Sequence, residues 1–168
     1  MAVGRSVKLI VVVFAAASLS GCQRGQSPPG TEQVVIAGEE YQLEVAQDEA
    51  TRAKGLMGRT KIASDGGMLF IFPTSELRSF WMGNCLVDID IMFLDANGRV
   101  TAIHTMKTEE PQREDEAEAA YQARMPGYSS VYATQLAIEL RAGSIQRLGV
   151  DVDDKIELDL ARLKAMAH

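Results

Sequence analysis

The stretch that decides the fold is Gly67–Asp95, GMLFIFPTSELRSFWMGNCLVDIDIMFLD. It is the most apolar part of the chain after the N-terminal leader, and it holds the single Trp and the second of two cysteines. Three strand-like runs fit inside it: Met68–Phe72, Leu77–Met82 and Ile89–Leu94. Apolar runs of about four to eight residues between turn signals read as buried strands. A sheet core starts here.

Pro73 is expected to close the first run, because proline cannot donate to a ladder. Asp95-Ala96-Asn97-Gly98 is a turn, its Asn-Gly suited to positive φ, and it joins Ile89–Leu94 to Arg99–Thr105 as a hairpin. Upstream, Val34–Ile36 and the alternation of Tyr41, Leu43 and Val45 predict two strands around a turn at Ala37–Glu40. Asp48 is placed to cap a short helix over Glu49–Lys54, with Gly55 as its stop. Downstream, Glu114–Arg124 predicts a longer helix, with acids in its first turn, Arg124 in its last and Pro126-Gly127 to halt it. Its Ala-rich, charged composition suits a surface lid. Leu136–Leu140 predicts a further strand and Ser144–Leu148 a helical turn, while Ile156, Leu158 and Leu160 alternate as a last strand over Lys155–Leu160. The expected architecture is mainly β: a single antiparallel sandwich or barrel-like domain with one or two short helices.

In this chain of 168 residues, Arg5 and Lys8 precede an uncharged apolar run, Leu9–Leu19. That run is shorter than the roughly 20 residues of a spanning helix, and residues 1–21 read as a signal peptide. The leader ends in Leu19-Ser20-Gly21-Cys22, which resembles the bacterial lipobox. The likeness implies cleavage before Cys22 and acylation of its thiol and new amino group; two or more acyl chains anchor a protein stably. Gln23 in place of Asp implies, by analogy with lipoprotein sorting in Gram-negative bacteria, the periplasmic face of the outer membrane. Residues 22–32 then form a Pro/Gly/Ser-rich tether, 33–160 the β-rich domain and 161–168 a C-terminal tail.

Loss of Arg5 and Lys8 leaves 15 basic against 23 acidic side chains, a formal charge of −8. Such a domain lacks the basic footprint of a nucleic-acid binder. Anionic headgroups repel it, so lipid rather than surface charge holds it at the membrane. With Cys22 acylated, Cys85 stays unpaired in a compartment where disulfides form.

Several blocks, taken together, resemble one family. They are Gly55-Leu56-Met57-Gly58-Arg59, Gly67-Met68-Leu69-Phe70, Phe80-Trp81-Met82-x-Asn84, Asp90-Ile91-x-Phe93-Leu94-Asp95-x-x-Gly98-x-Val100, Ala137-Ile138-Glu139-Leu140-x-x-Gly143 and Gly149-Val150-x-x-x-Asp154-Lys155-Ile156. In this order, over about Tyr41–Leu158, they are similar to an uncharacterised bacterial and archaeal family, domain of unknown function 192. The resemblance implies a β-sandwich-like fold and supplies no established activity. The chain departs from the family where Gly83-Asn84-Cys85 replaces Lys-Asn-Thr, where Asp88-Ile89-Asp90 replaces Pro-Leu-Asp, and in the long connection Thr105–Ser130.

Asp90 lies between Ile89 and Ile91 in a core-like strand, so its side chain and theirs occupy opposite faces. A carboxylate buried there needs a partner, and Arg52 and Arg59 are candidates. With Asn84 as a fixed amide and Trp81 as an apolar wall, these five residues outline a site for a small polar ligand such as a sugar. The alternative is sulfur-rich. Cys85, His104 and Met106 supply thiolate, imidazole and thioether, a donor set suited to Cu(I), with His104 and Met106 two apart on one face of a strand. No nucleophile elbow, zinc-protease helix or phosphate loop occurs, so no catalytic residue and no cofactor is assigned. The sequence reads as a membrane-anchored lipoprotein of the cell envelope, an accessory module for a small ligand or an envelope protein; the alternative is periplasmic copper handling.

Overall fold

The central apolar runs become the middle of a six-stranded sheet. The computed structural model describes residues 30–168; the predicted leader, Cys22 and most of the tether lie outside the described residues. In chain order the elements are β1 (Thr31–Ile36), β2 (Glu39–Ala46), α1 (Glu49–Lys54), β3 (Gly66–Glu76), β4 (Ser79–Phe80), β5 (Ile89–Leu94), β6 (Val100–Met106), α2 (Glu118–Ala123), β7 (Tyr128–Ser129), β8 (Thr134–Arg141), α3 (Ser144–Leu148) and α4 (Leu160–Met166). The main sheet runs β1-β2-β3-β8-β5-β6, and β4 pairs with β7 in a separate ribbon.

The mainly β expectation holds, and three of its details change. The sheet is mixed rather than wholly antiparallel, because β2 and β3 are parallel. A parallel neighbour needs a crossover, and α1 with the loop after it supplies one. The sheet stays open, with β1 and β6 at its two edges. The described residues hold four short helices rather than one or two.

Local differences have local causes. Pro73 does not end β3; the ladder to β8 breaks after Ile71 and resumes at Glu76↔Thr134. Proline sits in that irregularity, where its missing N–H removes no ladder bond. Leu77–Met82 pairs only at Ser79 and Phe80, with Ser129 and Tyr128. The helix predicted over Glu114–Arg124 shrinks to six residues, since Ala117 at its start offers no side-chain cap. Lys155–Leu160 is not a strand and makes only isolated bridges at Lys155 and Glu157. Asp159 instead accepts the Arg162 N–H and starts α4, which turns the last of the alternating leucines into helix. Residues beyond 160 are therefore structured: Leu163 is fully buried.

Alternation along β5 and β8 divides the core between the two faces of the sheet. Met92, Leu94, Leu136, Ile138 and Leu140 pack with Val34, Ile36, Ile145, Ile156 and Leu163 under α3 and α4. Ile89, Ile91, Phe93 and Ala137 face the other way and pack with Phe70, Met82, Cys85 and Met106. Each fully buried side chain of this kind contributes roughly 1.5–3 kcal/mol. The first face is sealed and the second is not.

Candidate functional site

Glu139 follows the alternation of β8 and points to the second face, the side of Ala137. Across the sheet it lies in one row with Met68 on β3, Ile91 on β5 and His104 on β6. It is 5% exposed, and its Oε2 has no hydrogen-bond partner. Burial pushes its carboxyl up to about 8, because the charged form loses its hydration. At neutral pH this acid is held mostly protonated, and an unpaired polar group in that position calls for an explanation.

Glu139 lines a cavity of about 400 Å³, within the usual size of small-molecule sites. Leu56, Phe70, Phe72, Phe80, Trp81 and Cys85 supply apolar walls, and Glu49, Arg52, Lys54 and Arg78 supply charge. The sequence builds these walls locally. Asp48 Oδ1 accepts the Thr51 N–H at 2.9 Å and starts α1, which carries Glu49, Arg52 and Lys54 to the cavity. Gly55 ends α1 at φ 47°, and a Cβ there would stand 3.8 Å from Glu139 Oε2. A side chain at that position would intrude on the space the glycine leaves open. The β4–β7 ribbon delivers Phe80, whose ring meets Phe70 edge-on at 4.9 Å and Phe93 at 5.4 Å. The Arg78 guanidinium covers the Phe72 ring at 4.3 Å.

Trp81 is half-buried and rests on Gly83: a Cβ on that glycine would lie 2.0 Å from Trp81 Cζ3. From outside, Tyr121 of α2 meets the indole at 6.1 Å, and its hydroxyl accepts the Asn84 N–H at 2.9 Å. Arg124 lies over the Tyr121 ring at 4.9 Å and pairs with Glu116 at 2.8 Å. The hydrogen bond from Arg124 pulls the Glu116 carboxyl down to about 2. The predicted lid helix contributes no residue to the cavity lining; it braces the back of the Trp81 wall.

The residues singled out in the sequence separate. Arg52, Trp81 and Cys85 line the cavity. Asn84 is exposed, and its backbone rather than its amide is engaged, its carbonyl accepting the Gly58 N–H. Arg59 pairs with Glu44 at 2.7 Å, away from these walls. Asp90 is on the sealed face, where it accepts from Thr105 Oγ1 at 2.8 Å and from the Ile145 N–H at 3.0 Å. The expected ion pair of Asp90 with Arg52 or Arg59 does not form. Arg52 donates instead to the backbone oxygens of Gln47, Ile71 and His168 at 2.6, 3.0 and 3.1 Å. A hydroxyl and a backbone N–H meet the need of the buried Asp90 that a cation was expected to meet.

Cys85 and Met106 are buried, and both pack in the cluster on the second face. The His104 Nε2–H donates to the Ser129 carbonyl at 2.8 Å. No group of three or more His, Cys, Asp or Glu side chains that could hold a metal occurs among the described residues. Burial, with the negative form of Glu139 adding to it, pushes the Cys85 thiol up to about 11, so it stays protonated and weakly nucleophilic. Glu139 and Arg78 escaped the sequence reading. The signal for Glu139 was present, since an acid between Ile138 and Leu140 poses the same question as Asp90 between two isoleucines.

Two solved structures share this architecture. One is a protein of Sinorhizobium meliloti 1021 put forward as a transcription regulator: it is 29% identical, with a TM-score of 0.59 over 74% of this chain and 89% of its own. The other is a protein of unknown function from Novosphingobium aromaticivorans DSM 12444: it is 26% identical, with a TM-score of 0.65 over 76% of this chain and 85% of its own. No curated protein matches the chain. Residues 32–158 match the family described as DUF192, Uncharacterized ACR, and the chain belongs to that family.

Proposed function

We propose that this domain is a small-ligand-binding module and that its site is the cavity between α1, β3, β4 and β8. The observation that carries the reading is Glu139: a buried acid with a free oxygen at a cavity walled by aromatic rings. A carboxyl without a partner costs stability. It is tolerated where a bound molecule completes its hydrogen bonds, and sites of this kind combine apolar walls with a few convergent polar groups. In this reading Trp81 is a wall of the site and Arg52 one of its charges, while Asn84, Arg59 and Asp90 lie outside it. The lipobox-like Leu19–Cys22 supports a lipid anchor on Cys22 and a place in the cell envelope, which a Cys22→Ser variant tests by moving from the membrane to the soluble fraction. The acidic balance, 23 acidic against 14 basic side chains over residues 30–168, disfavours direct contact with DNA, whatever role the S. meliloti relative has.

Native mass spectrometry of the full chain, released gently from lipid nanodiscs, tests the binding reading. An organic mass excess is expected on the wild type and at clearly lower occupancy on a folded Glu139→Leu variant. An excess undiminished in Glu139→Leu, or a bare polypeptide whose melting point no small molecule raises, would remove the cavity from consideration.

A further inference from the structure

We propose that the ligand is an organic monocarboxylate with an apolar, ring-sized body and a hydroxyl or carbonyl oxygen at its far end. The inference rests on the reading of the cavity as a ligand site and specifies what fills it. Three observations converge.

The first is a reversal of charge. The residues around the domain are acidic overall, with 23 acidic against 14 basic side chains over residues 30–168. The cavity gathers Arg52, Lys54 and Arg78 against one exposed acid, Glu49. Glu76, at 3.7 Å from Arg78 and largely exposed, offsets that guanidinium only in part, since such surface pairs are weak. The Lys54 side chain makes no hydrogen bond or ion pair among the described residues, so its ammonium is free for an incoming anion. A cleft of one sign with low-dielectric walls concentrates oppositely charged solutes. An ammonium ligand would meet the wrong sign first.

The second is the wall. Phe70, Phe72, Phe80 and Trp81 offer ring surface for a flat or branched apolar body. The Phe72 ring is already covered by Arg78 at 4.3 Å and approached by Arg52 at 5.7 Å. Its cation-binding surface is therefore taken by the protein itself. A carboxylate approaching Phe72 meets these guanidinium groups.

The third is Glu139. Its protonated carboxyl can donate through O–H and accept through its carbonyl oxygen. A neutral hydroxyl or carbonyl satisfies it without burying a new charge. A second carboxylate at that depth would not, because an unpaired buried charge costs far more than an unpaired dipole. The ligand is thus asymmetric, with its anion towards Lys54 and its neutral oxygen towards Glu139.

Calorimetric titration of the full chain in lipid nanodiscs, with empty nanodiscs as the blank, tests this with matched probes. 4-Hydroxyphenylacetate, tyramine and 4-ethylphenol share a phenol and differ in carrying a carboxylate, an ammonium or neither; phenylacetate lacks the hydroxyl. The anion is expected to bind about tenfold more tightly than tyramine or 4-ethylphenol, in the range of one well-placed charged contact. Lys54→Gln should erase most of that preference, and phenylacetate should lose about tenfold relative to the hydroxylated acid. Glu139→Leu should abolish the advantage of the hydroxyl while leaving Lys54 dependence intact. Tyramine or 4-ethylphenol binding best, in a manner that Glu139→Leu removes, would overturn the proposed class and keep the cavity. Heats equal to the blank for all four probes would overturn the class and count against the cavity as well.

Discussion

Asp90 and Glu139 occupy neighbouring positions on paired strands, since Asp90 lies opposite Leu140 and Ile91 opposite Glu139. Both are buried, at 1% and 5% exposure. One step along the pleat sends them to opposite faces of the sheet. Asp90 meets a hydroxyl and the backbone of α3 at 2.8 and 3.0 Å; Glu139 meets open space and keeps an unpartnered oxygen. The contrast teaches that depth alone does not mark a functional acid. What separates the two is whether the fold itself completes the hydrogen bonds.

Removing each acid should separate the two roles most sharply. Asp90→Ala leaves the Ile145 N–H and the Thr105 hydroxyl without their acceptor inside the sealed face. A loss of about 3 kcal/mol is expected in urea denaturation at neutral pH. Glu139→Leu removes a group that is unsatisfied in the free protein and should change stability by less than about 1 kcal/mol, or raise it. If Glu139→Leu proves the more damaging of the two, Glu139 belongs to the architecture and the contrast collapses.

The next effect is a pH dependence. In the unfolded chain the Glu139 carboxyl ionises near its ordinary 4.5, and in the folded chain only near 8. Between those values the folded chain binds the extra proton, so its stability falls as pH rises; the contribution is complete below 4.5 and fully lost above 8. The groups around the carboxyl are Cys85 on the wall, Glu49, Arg52 and Lys54 from α1, and Arg78 before β4. His104 lies in the same row beyond Ile91. The open cavity on one side of the carboxyl softens the burial, so about 2 kcal/mol should be lost by wild type relative to Glu139→Gln between pH 5 and 8. Parallel stability curves for the two proteins would show that the folded chain carries Glu139 ionised at neutral pH, satisfied much as Asp90 is.

Periodicity and turn chemistry made most of the sheet legible. The β1–β2 hairpin, the capped α1, the Asn-Gly turn and β8 all depend on residues within a few positions of one another. The parallel β2–β3 step and the conversion of Leu160 from strand to helix depend on what packs across the chain, which no local pattern records. The site divides along the same line. Trp81, Arg52 and Cys85 stood out by type. Asp90 and Glu139 pose one question in sequence, an acid between two apolar residues of a strand, and only the register and the elements over each face answer it differently. Asn84 stood out beside Trp81, yet its positive φ of 54° turns its side chain into a surface feature and leaves its backbone to do the joining.

The smallest expected effect concerns how the open face keeps its wall. The sealed face is held by packed apolar side chains, whereas Trp81 rests on Gly83 and is braced from outside by Tyr121. Tyr121→Phe preserves the ring contact and removes one hydroxyl, which orphans the Asn84 N–H at a residue already held at positive φ. The lost bond should cost about 1 kcal/mol of global stability. Its local effect should be larger than its global one, because the segment from Trp81 to Cys85 is fixed by few other backbone bonds, among them Gly58 N–H to Asn84 O and Cys85 N–H to Met82 O. Hydrogen exchange at the Asn84 amide should therefore accelerate by tenfold or more while amides of β5 and β8 stay protected. Trp81, the only indole in the chain, should report the same loosening as a red-shifted emission. Unchanged exchange at Asn84 would mean that Gly83 alone positions the indole and that α2 is bystander to the cavity. Acceleration confined to this segment would show that the open face, unlike the sealed one, is held in shape by a single hydroxyl reaching in from the long connection after β6.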